Sequence, residues 1–344
     1  MSNKLATIQR IHSIQPHPNK EVERLEVGKV LAWPVVIKKD DFKDGELVVF
    51  ITIDSIVPES NPYFEFMRRQ KFKVWNARFK GAPSQGLVCP LSILPKLDEN
   101  EKDTGHAGVQ WNEGNDVTDL LGVIKYEKPI DLSLNGDAKG NFPTDLLPIT
   151  DEDNLLNFPD ALKELVGEEV YITVKADGSS GTIIHQNGNI RVCSRRLEQK
   201  EGTGFWNIFN SFNLPNKLKY LGLNIAIQCE MVGGKIQGNP LGLGKPSIRV
   251  FNIRDLDTGN WYGWDQMSNL CRDLEIPAVQ LIEILSWKGD LTIDDLQRMA
   301  NNVFYTTDKG EVKKGEGIVI RPITPKYSSI LGKMWSAKVL NVDY

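Results

Sequence analysis

Residues 96–148 form a long polar segment that divides the sequence into two parts. The segment is acidic in LDENEKDTGHAGVQWNEGND and rich in Gly, Asn, Asp and Pro in DLSLNGDAKGNFPTD, a composition that favours irregular backbone. A connection of this length is uncommon inside one compact domain, and 344 residues are enough for two. We therefore predict domains at 1–95 and 149–344, joined by a linker or extension at 96–148. Only VTDLLGVIKYE within the linker suggests a short helix or strand.

The first part, residues 1–95, has the pattern of a small β domain. The runs LEVGKVLAWPVVIKK and ELVVFITIDSIVP are rich in β-branched residues and flank a turn at Asp44-Gly45. Short strands at this spacing are typical of closed β structures. We predict a five-stranded barrel of the OB type.

The second part mixes helical and strand patterns. Leu155, Leu156, Leu162, Leu165 and Val166 have helical spacing, whereas EEVYITVK, SIRVFNIRDL and GEGIVIRP are typical of strands. No strict alternation of strand and helix is present, which disfavours a parallel sheet. The prediction is an α+β domain of mostly antiparallel sheets with flanking helices.

Composition excludes several classes of protein. The net charge is −4, whereas proteins that coat nucleic acid are strongly basic, so any nucleic-acid contact must come from a local basic patch. The four cysteines form no CxxC pair and the four histidines no HExxH motif, which disfavours zinc and favours a reducing compartment. There is no apolar run of about 18 residues and no signal-peptide pattern, so we expect no membrane span and a cytoplasmic location.

One basic patch stands out in the first part. It comprises Arg68, Arg69, Lys71, Lys73, Arg78 and Lys80, with no acid between them. Phe72, Trp75 and Phe79 are interleaved with these cations. Phosphates attract cations and unpaired bases stack on aromatic rings, so we predict that the patch binds RNA. A basic strand pair whose aromatic residues face the barrel core is an equal alternative, and the two can hold together.

A lysine at the end of an apolar strand is the most informative single residue. Lys175 follows YITV and precedes Ala-Asp-Gly. A buried lysine must be paired or deprotonated, and a nucleophilic lysine needs a lowered pKa. The alternative is that Lys175 ends an edge strand and points to solvent. The tetrapeptide alone does not decide between these readings.

Charged residues recur downstream at the ends of apolar strands, where facing sheets could bring them into one groove. In order, the segments contain Ser194-Arg195, Glu230, Phe251, Glu316-Gly317 and Lys338. Together with Lys175-Ala-Asp177-Gly178, they resemble motifs I, Ia, III, IIIa, IV and V of the covalent nucleotidyltransferases, which include ligases and capping enzymes.

The resemblance extends over the whole chain. PHPNKEVERLEV, KDDFKDGELVVF, ITDEDNLLN and GGKIQGNP look like the ATP-dependent RNA ligases typified by those of Deinococcus and Naegleria. The resemblance implies that Lys175 takes AMP from ATP and passes it to an RNA 5′-phosphate. It also implies that a 3′-hydroxyl then displaces the AMP. The implied partner is RNA with such ends, and we expect a monomer.

The resemblance also implies roles for single residues. Lys338 would hold the α-phosphate and help keep Lys175 uncharged, while Asp177, Glu316 and Glu230 would engage hydrated Mg²⁺ or Mn²⁺. Phe251 and Val319 would enclose adenine, Glu230 would bind the ribose and Arg195 a phosphate. Val174 and Gly178 are further candidates for nucleotide binding.

Two departures from the branch are visible. Relatives tend to carry Arg and Gln where this chain has Asn154 and Leu156, and the second lysine of a KxK motif V is missing beside Lys338. Whether Lys333 replaces that lysine is open. Alternative functions are a DNA ligase, a capping enzyme or a non-catalytic RNA-binding protein. The first two usually carry a domain after motif V, and only six residues follow Lys338.

Overall fold

The structure is a computed structural model that describes residues 4–94, 111–126, 136–307 and 309–344. The chain forms two compact units, Met1–Pro129 and Ile130–Tyr344. Each unit has a core of its own, built mainly from buried strand residues.

The first unit is built from short antiparallel strands. Its strands are β1 (Ala6–Pro16), β2 (Leu25–Val30), β3 (Trp33–Lys38), β4 (Leu47–Ile51), β5 (Ser55–Ile56), β6 (Lys73–Val74), β7 (Asn76–Phe79), β8 (Ala82–Gln85), β9 (Leu87–Pro90) and β10 (Ile124–Lys125). Its helices are the 3₁₀ helices Pro62–Gln70 and Leu91–Ile93 and the α-helix α1 (Thr118–Leu121).

A five-stranded sheet in the order β3-β2-β1-β4-β9 dominates this unit, which agrees with the five strands predicted. β1 pairs with β2 on one side and β4 on the other, and its register shifts between His12 and Gln15. Such irregularities bend a strand, which lets one strand serve two parts of a curved sheet. Gly86 allows close packing here, because a Cβ at this position would lie 2.4 Å from the Phe50 ring.

Part of the predicted linker is ordered within the first unit. The Thr118 hydroxyl oxygen accepts hydrogen bonds from the amides of Leu5 and Ala6 at 2.9 and 3.0 Å, and β10 pairs with β5. The short helix and strand suggested by VTDLLGVIKYE are therefore present as α1 and β10. Residues 95–110 and 127–135 lie outside the described residues, so the domain boundaries stay a prediction.

The second unit contains two larger sheets. Its strands are β11 (Ala138–Asn141), β12 (Asp153–Asn154), β13 (Glu169–Val174), β14 (Ser179–Gln186), β15 (Asn189–Ser194), β16 (Leu197–Gln199), β17 (Ile225–Val232), β18 (Ser247–Asp255), β19 (Leu281–Ser286), β20 (Phe304–Thr306), β21 (Val312–Lys314), β22 (Gly317–Pro322), β23 (Tyr327–Ser328), β24 (Lys333–Met334) and β25 (Ala337–Leu340). Its α-helices are α2 (Gly204–Ser211), α3 (Leu214–Leu221), α4 (Trp264–Asp273) and α5 (Ile293–Asn301). None of the helices in the described ranges is long and apolar enough to cross a membrane.

The strand orders confirm the predicted α+β class. One sheet has the order β11-β16-β15-β14-β17-β18 and the other β12-β25-β22-β13-β19. Every pairing in them is antiparallel except the short β12–β25 pair. The segment with helical spacing forms two short 3₁₀ helices, Leu155–Asn157 and Pro159–Leu165. Pro159 lacks the amide proton that a continuous helix would need.

Candidate active site

Lys175 lies directly after β13, beside the start of β22. Its backbone amide donates to the carbonyl of Gly317 at 2.9 Å, which extends the antiparallel pairing of Val174 with Ile318. This register places Glu316 next to the lysine. The Lys175 Nζ lies 2.6 Å from both carboxylate oxygens of Glu316, and the two side chains are only 23% and 21% exposed.

The charge of Lys175 differs from the expectation. Burial lowers the pKa of Lys175, but the opposing effects of Glu316, Glu230 and Asp177 are larger together and raise it above its ordinary value. An ammonium flanked by carboxylates is stabilised in its charged form. The prediction that the amine is kept uncharged is therefore wrong for the free protein.

Glu230 and Asp177 reach the same place through the β14–β17 pair. A Cβ on Gly178 would lie 2.1 Å from the carbonyl oxygen of Met231 and 3.1 Å from the Glu230 Cγ, so only glycine permits this approach. Burial raises the pKa of Glu230 to about 7, against the lowering effect of Lys175, and the charges of Glu316 and Asp177 add to the rise.

Lys338 brings a second cation to this cluster. It lies in β25 opposite Val319, which is 6% exposed. Burial and the charge of Lys175 lower the pKa of Lys338, while Asp151, Glu152 and Glu316 oppose this. Because the charge of Lys175 lowers the pKa of Lys338, the two lysines are close enough to repel each other.

The donor set fits a hydrated divalent cation. Within the described ranges, no group of three or more His, Cys, Asp or Glu side chains has metal-binding geometry. Mg²⁺ commonly takes only one or two protein carboxylates and keeps several waters. Glu316, Glu230 and Asp177 all act electrostatically on Lys175, so these three carboxylates lie in one cluster and are the groups that could hold such an ion.

A pocket opens beside Lys175. It is lined by Val174, Lys175, Ala176, Asp177, Leu241, Leu243, Arg249, Gln280, Tyr305, Thr306, Glu316 and Tyr344. Sequence reasoning did not identify Arg249, Tyr305 or Tyr344. Arg249 interrupts the apolar run of β18 two residues before Phe251, and that signal was available. Tyr305 and Tyr344 carry no comparable signal.

The acidic segment at 151–153 holds three cations in place. Asp151 pairs with Arg195 at 3.2 Å, Glu152 binds the buried Arg321, and Asp153 pairs with Lys333 at 2.8 Å. The ammonium of Lys333 also donates to the Asp151 carbonyl at 2.6 Å, so its contacts are with this segment. Arg195 acts on the charge of Glu230, which places it at the edge of the cluster.

The structure also shows the positions of Phe251 and of Asn154 and Leu156, two residues at which this chain differs from the family pattern. Phe251 is half-buried in β18, with the Arg321 guanidinium 5.7 Å from its ring centre. The Asn154 side chain accepts a hydrogen bond from the Leu156 amide at 3.0 Å, and Leu156 is buried. These two residues therefore serve local structure.

The basic patch of the first unit is only partly at the surface. Arg68, Arg69, Lys71, Arg78 and Lys80 are exposed, whereas Lys73 is 5% exposed. Its ammonium lies 3.4 and 3.0 Å from the ring centres of Trp75 and Tyr126. Lys73 is thus a structural cation that supports the half-exposed Trp75.

The remaining patch residues show both predicted arrangements. Phe72 is buried, as the core alternative requires, while Trp75 and Phe79 are 50% and 43% exposed. Arg68 pairs with Glu59 and Glu65 at 2.6 and 2.7 Å, so acids outside the patch offset part of its charge.

Two family models match the sequence. An RNA ligase model matches residues 168–335, and an OB-fold domain model matches residues 5–91. No curated protein matches the sequence significantly.

Solved structures similar to this chain include several of an RNA ligase from Naegleria gruberi. Its complex with pyrophosphate is 30% identical, with a TM-score of 0.79, and the match covers 100% of this chain and 98% of that one. A lysine-to-alanine mutant of that ligase with ATP and manganese is 28% identical, with a TM-score of 0.81 and coverage of 99% and 98%. A glutamate-to-alanine mutant with AMP and manganese is 29% identical, with the same TM-score and coverage. The chain belongs to the RNA ligase family and has an N-terminal OB-fold module.

Proposed function

We propose that this protein is an ATP-dependent RNA ligase that carries AMP on Lys175 and joins RNA 5′-phosphate and 3′-hydroxyl ends. The observation that carries this proposal is the bidentate contact of the partly buried Lys175 with Glu316, beside Glu230, Asp177 and Lys338. A lysine that only ended a strand would not need this cluster. The related ligase with bound ATP and manganese supports the choice of nucleotide and of Mn²⁺ or Mg²⁺.

The reaction has three transfers. The Lys175 Nζ attacks the α-phosphorus of ATP, a P–N bond forms, and the bond to pyrophosphate breaks. An RNA 5′-phosphate oxygen then attacks the same phosphorus and releases the lysine. Finally an RNA 3′-hydroxyl attacks the 5′-phosphorus and AMP leaves. Each transfer depends mainly on alignment and charge neutralisation.

Before the first transfer, Lys175 must lose its proton. The free site opposes this loss, because three carboxylates raise the pKa of the lysine. A divalent cation held by Asp177, Glu316 and Glu230 would supply positive charge beside these carboxylates and so favour the neutral amine. Lys338 contributes in the same direction, since two neighbouring ammonium groups disfavour each other.

The other residues bind the nucleotide in this proposal. Glu230, with a pKa of about 7, accepts or donates hydrogen bonds at the ribose hydroxyls. Phe251 and Val319 enclose adenine, and Arg195 contacts a phosphate. Val174 lines the pocket beside Lys175, Gly178 follows Asp177 directly, and Lys338 would hold the α-phosphate.

The RNA would also be bound by the first unit. The exposed cations Arg68, Arg69, Lys71, Arg78 and Lys80 would contact phosphates, and Trp75 and Phe79 present exposed rings to bases. We propose domains at 1–95 and 149–344 with a linker between them, and a monomeric protein. All four cysteines are free and buried, which supports a reducing compartment such as the cytoplasm.

Transfer of label from ATP to protein tests the proposed function. The protein is incubated with α-labelled ATP and Mn²⁺ or Mg²⁺, and label on the protein is measured with wild type and Lys175→Ala. We expect label on the wild type only, and release of that label on addition of 5′-phosphorylated nicked RNA. Labelling by GTP in place of ATP would identify a capping enzyme, and no labelling would leave only an RNA-binding protein.

A further inference from the structure

Tyr344 contacts the proposed catalytic cluster from a distant part of the sequence. Its hydroxyl donates a hydrogen bond to the Asp177 Oδ2 at 2.7 Å, across 167 positions. None of the recognised motifs includes this tyrosine. A hydrogen bond to an ionised carboxylate is stronger than one between neutral groups, and it restricts the rotation of the carboxylate.

The segment that carries Tyr344 is anchored on the strand start that carries Glu316. Asn341 is 4% exposed, its amide donates to the Glu316 carbonyl at 2.9 Å, and its side chain donates to the Gly315 carbonyl at 3.0 Å. The Val342 amide donates to the Asn301 side chain at 3.0 Å. Tyr344 is therefore presented to Asp177 by a turn that is fixed to the backbone of Glu316.

This arrangement connects the Asp177 carboxylate to the backbone of Glu316, whose side chain is a second carboxylate of the cluster. Asp177 follows β13 and Glu316 precedes β22, and the turn at 341–344 joins them by one backbone and one side-chain hydrogen bond. Tyr344 uses one oxygen of Asp177, so the other oxygen can face a water of a hydrated cation. Groups that orient a metal-binding carboxylate in this way affect metal affinity about 10–100-fold.

We propose that Tyr344 is a positioning residue that holds the Asp177 carboxylate in the orientation needed to bind the hydrated divalent cation. The proposal rests on the proposed function, because it takes Asp177 as part of the cation site. Its phenol ring does not need to touch the nucleotide or the RNA.

The test uses Tyr344→Phe, which removes the hydroxyl and keeps the ring. The matched control is Tyr327→Phe, because Tyr327 is an exposed tyrosine of β23 in the same unit. Both changes are made in a Lys175→Ala background, which cannot take up AMP. Binding of ATP is then measured by calorimetry at increasing Mn²⁺ concentrations.

We expect Tyr344→Phe to raise the Mn²⁺ concentration for half-maximal ATP binding about 10-fold. ATP binding at saturating Mn²⁺ should stay within about twofold of the control. With Lys175 intact, the rate of lysyl-AMP formation should fall at low Mn²⁺ and recover at high Mn²⁺. A merely structural role would lower the rate at every Mn²⁺ concentration.

An unchanged or lowered Mn²⁺ midpoint in Tyr344→Phe would overturn the proposal, and a lowered midpoint would mean that Tyr344 competes with the ion for Asp177. Labelling of the wild type by ATP separates this outcome from failure of the proposed function. If the wild type is labelled and the midpoint does not rise, only the positioning role is lost.

Discussion

Glu316 holds Lys175 in its charged form, which is not nucleophilic. The ammonium is held by both oxygens of one carboxylate, and Glu230 and Asp177 add further negative charge. A charged amine cannot attack phosphorus. The free protein therefore keeps Lys175 protonated, and its reactivity depends on what later offsets the carboxylates.

Replacing Glu316 by Gln should make Lys175 more reactive as a simple amine. Glu316 raises the pKa of Lys175, so removing its charge lowers that pKa and increases the neutral fraction at pH 7. Each pKa unit of decrease gives an about tenfold larger neutral fraction, and acylation by an amine-reactive ester should become faster. The acylated peptide is quantified by mass spectrometry in the presence of a chelator.

Lysyl-AMP formation in the same variant should fall about 100-fold or more, because the cluster loses a carboxylate that the reaction needs. Lys326, which pairs with Glu168 at 2.6 Å, serves as the internal control and should be acylated at an unchanged rate. Slower acylation of Lys175 in the variant would contradict the assigned effect of Glu316 on its pKa.

Among the elements, β13, β22 and β25 form the framework of the candidate site. β22 is paired on both sides, with β13 and β25, so the site residues at its start are held by two ladders. The first unit contributes a different kind of surface, at the end of the 3₁₀ helix Pro62–Gln70. Lys71 caps this helix in the left-handed conformation, and three exposed cations lie at this end of it: Arg68, Arg69 and Lys71.

Reversing Arg68, Arg69 and Lys71 to Glu should weaken RNA sealing more than lysyl-AMP formation. Phosphate contacts contribute affinity that falls with salt, and three reversals replace attraction by repulsion. We expect the Kd for nicked RNA to rise about 10-fold or more, with a shallower salt dependence. The measurements are RNA binding at several salt concentrations and labelling by ATP.

The matched control reverses Lys38, Lys39 and Lys43, which are exposed cations of the same unit and give the same change in net charge. It should leave RNA binding within about threefold of the wild type. Equal loss of RNA binding in both variants, or equal loss of sealing and labelling in the first, would count against a specific RNA surface.

The whole molecule divides its residues between two compact units. All the proposed nucleotide-binding residues lie within Ile130–Tyr344, and the basic patch lies within Met1–Pro129. A ligand stabilises the folded unit that binds it and leaves an independent unit unchanged.

Calorimetric unfolding of Lys175→Ala should therefore show two transitions, of which ATP with Mn²⁺ raises one. At about 100 times Kd the ligand adds about 2.7 kcal/mol, which corresponds to a rise of about 5–10 °C for a unit of this size. RNA without ATP should raise the other transition. A single transition that moves as a whole would mean that the two units unfold cooperatively.

The mixed helix and strand patterns were sufficient to predict the fold class, and the order of charged residues at strand ends was sufficient to predict the family and to propose the candidate cluster. Each charged residue of the cluster follows, interrupts or precedes an apolar run, which is a local pattern that the sequence shows directly. These residues are Lys175, Glu230, Glu316 and Lys338. The break between the two short 3₁₀ helices is a local effect of Pro159. The buried position of Lys73 was not predicted, because it depends on packing against Tyr126, which is distant in the sequence.

The sequence by itself determined which ionisable groups the site contains and that they lie at or near the ends of strands. Only the tertiary structure decided their charge and partners. Glu316 meets Lys175 across 141 positions through the register of β13 and β22, and Tyr344 meets Asp177 across 167. The physical reason is that a pKa and a hydrogen bond depend on distances of a few ångströms, which strand register and burial set and residue order does not.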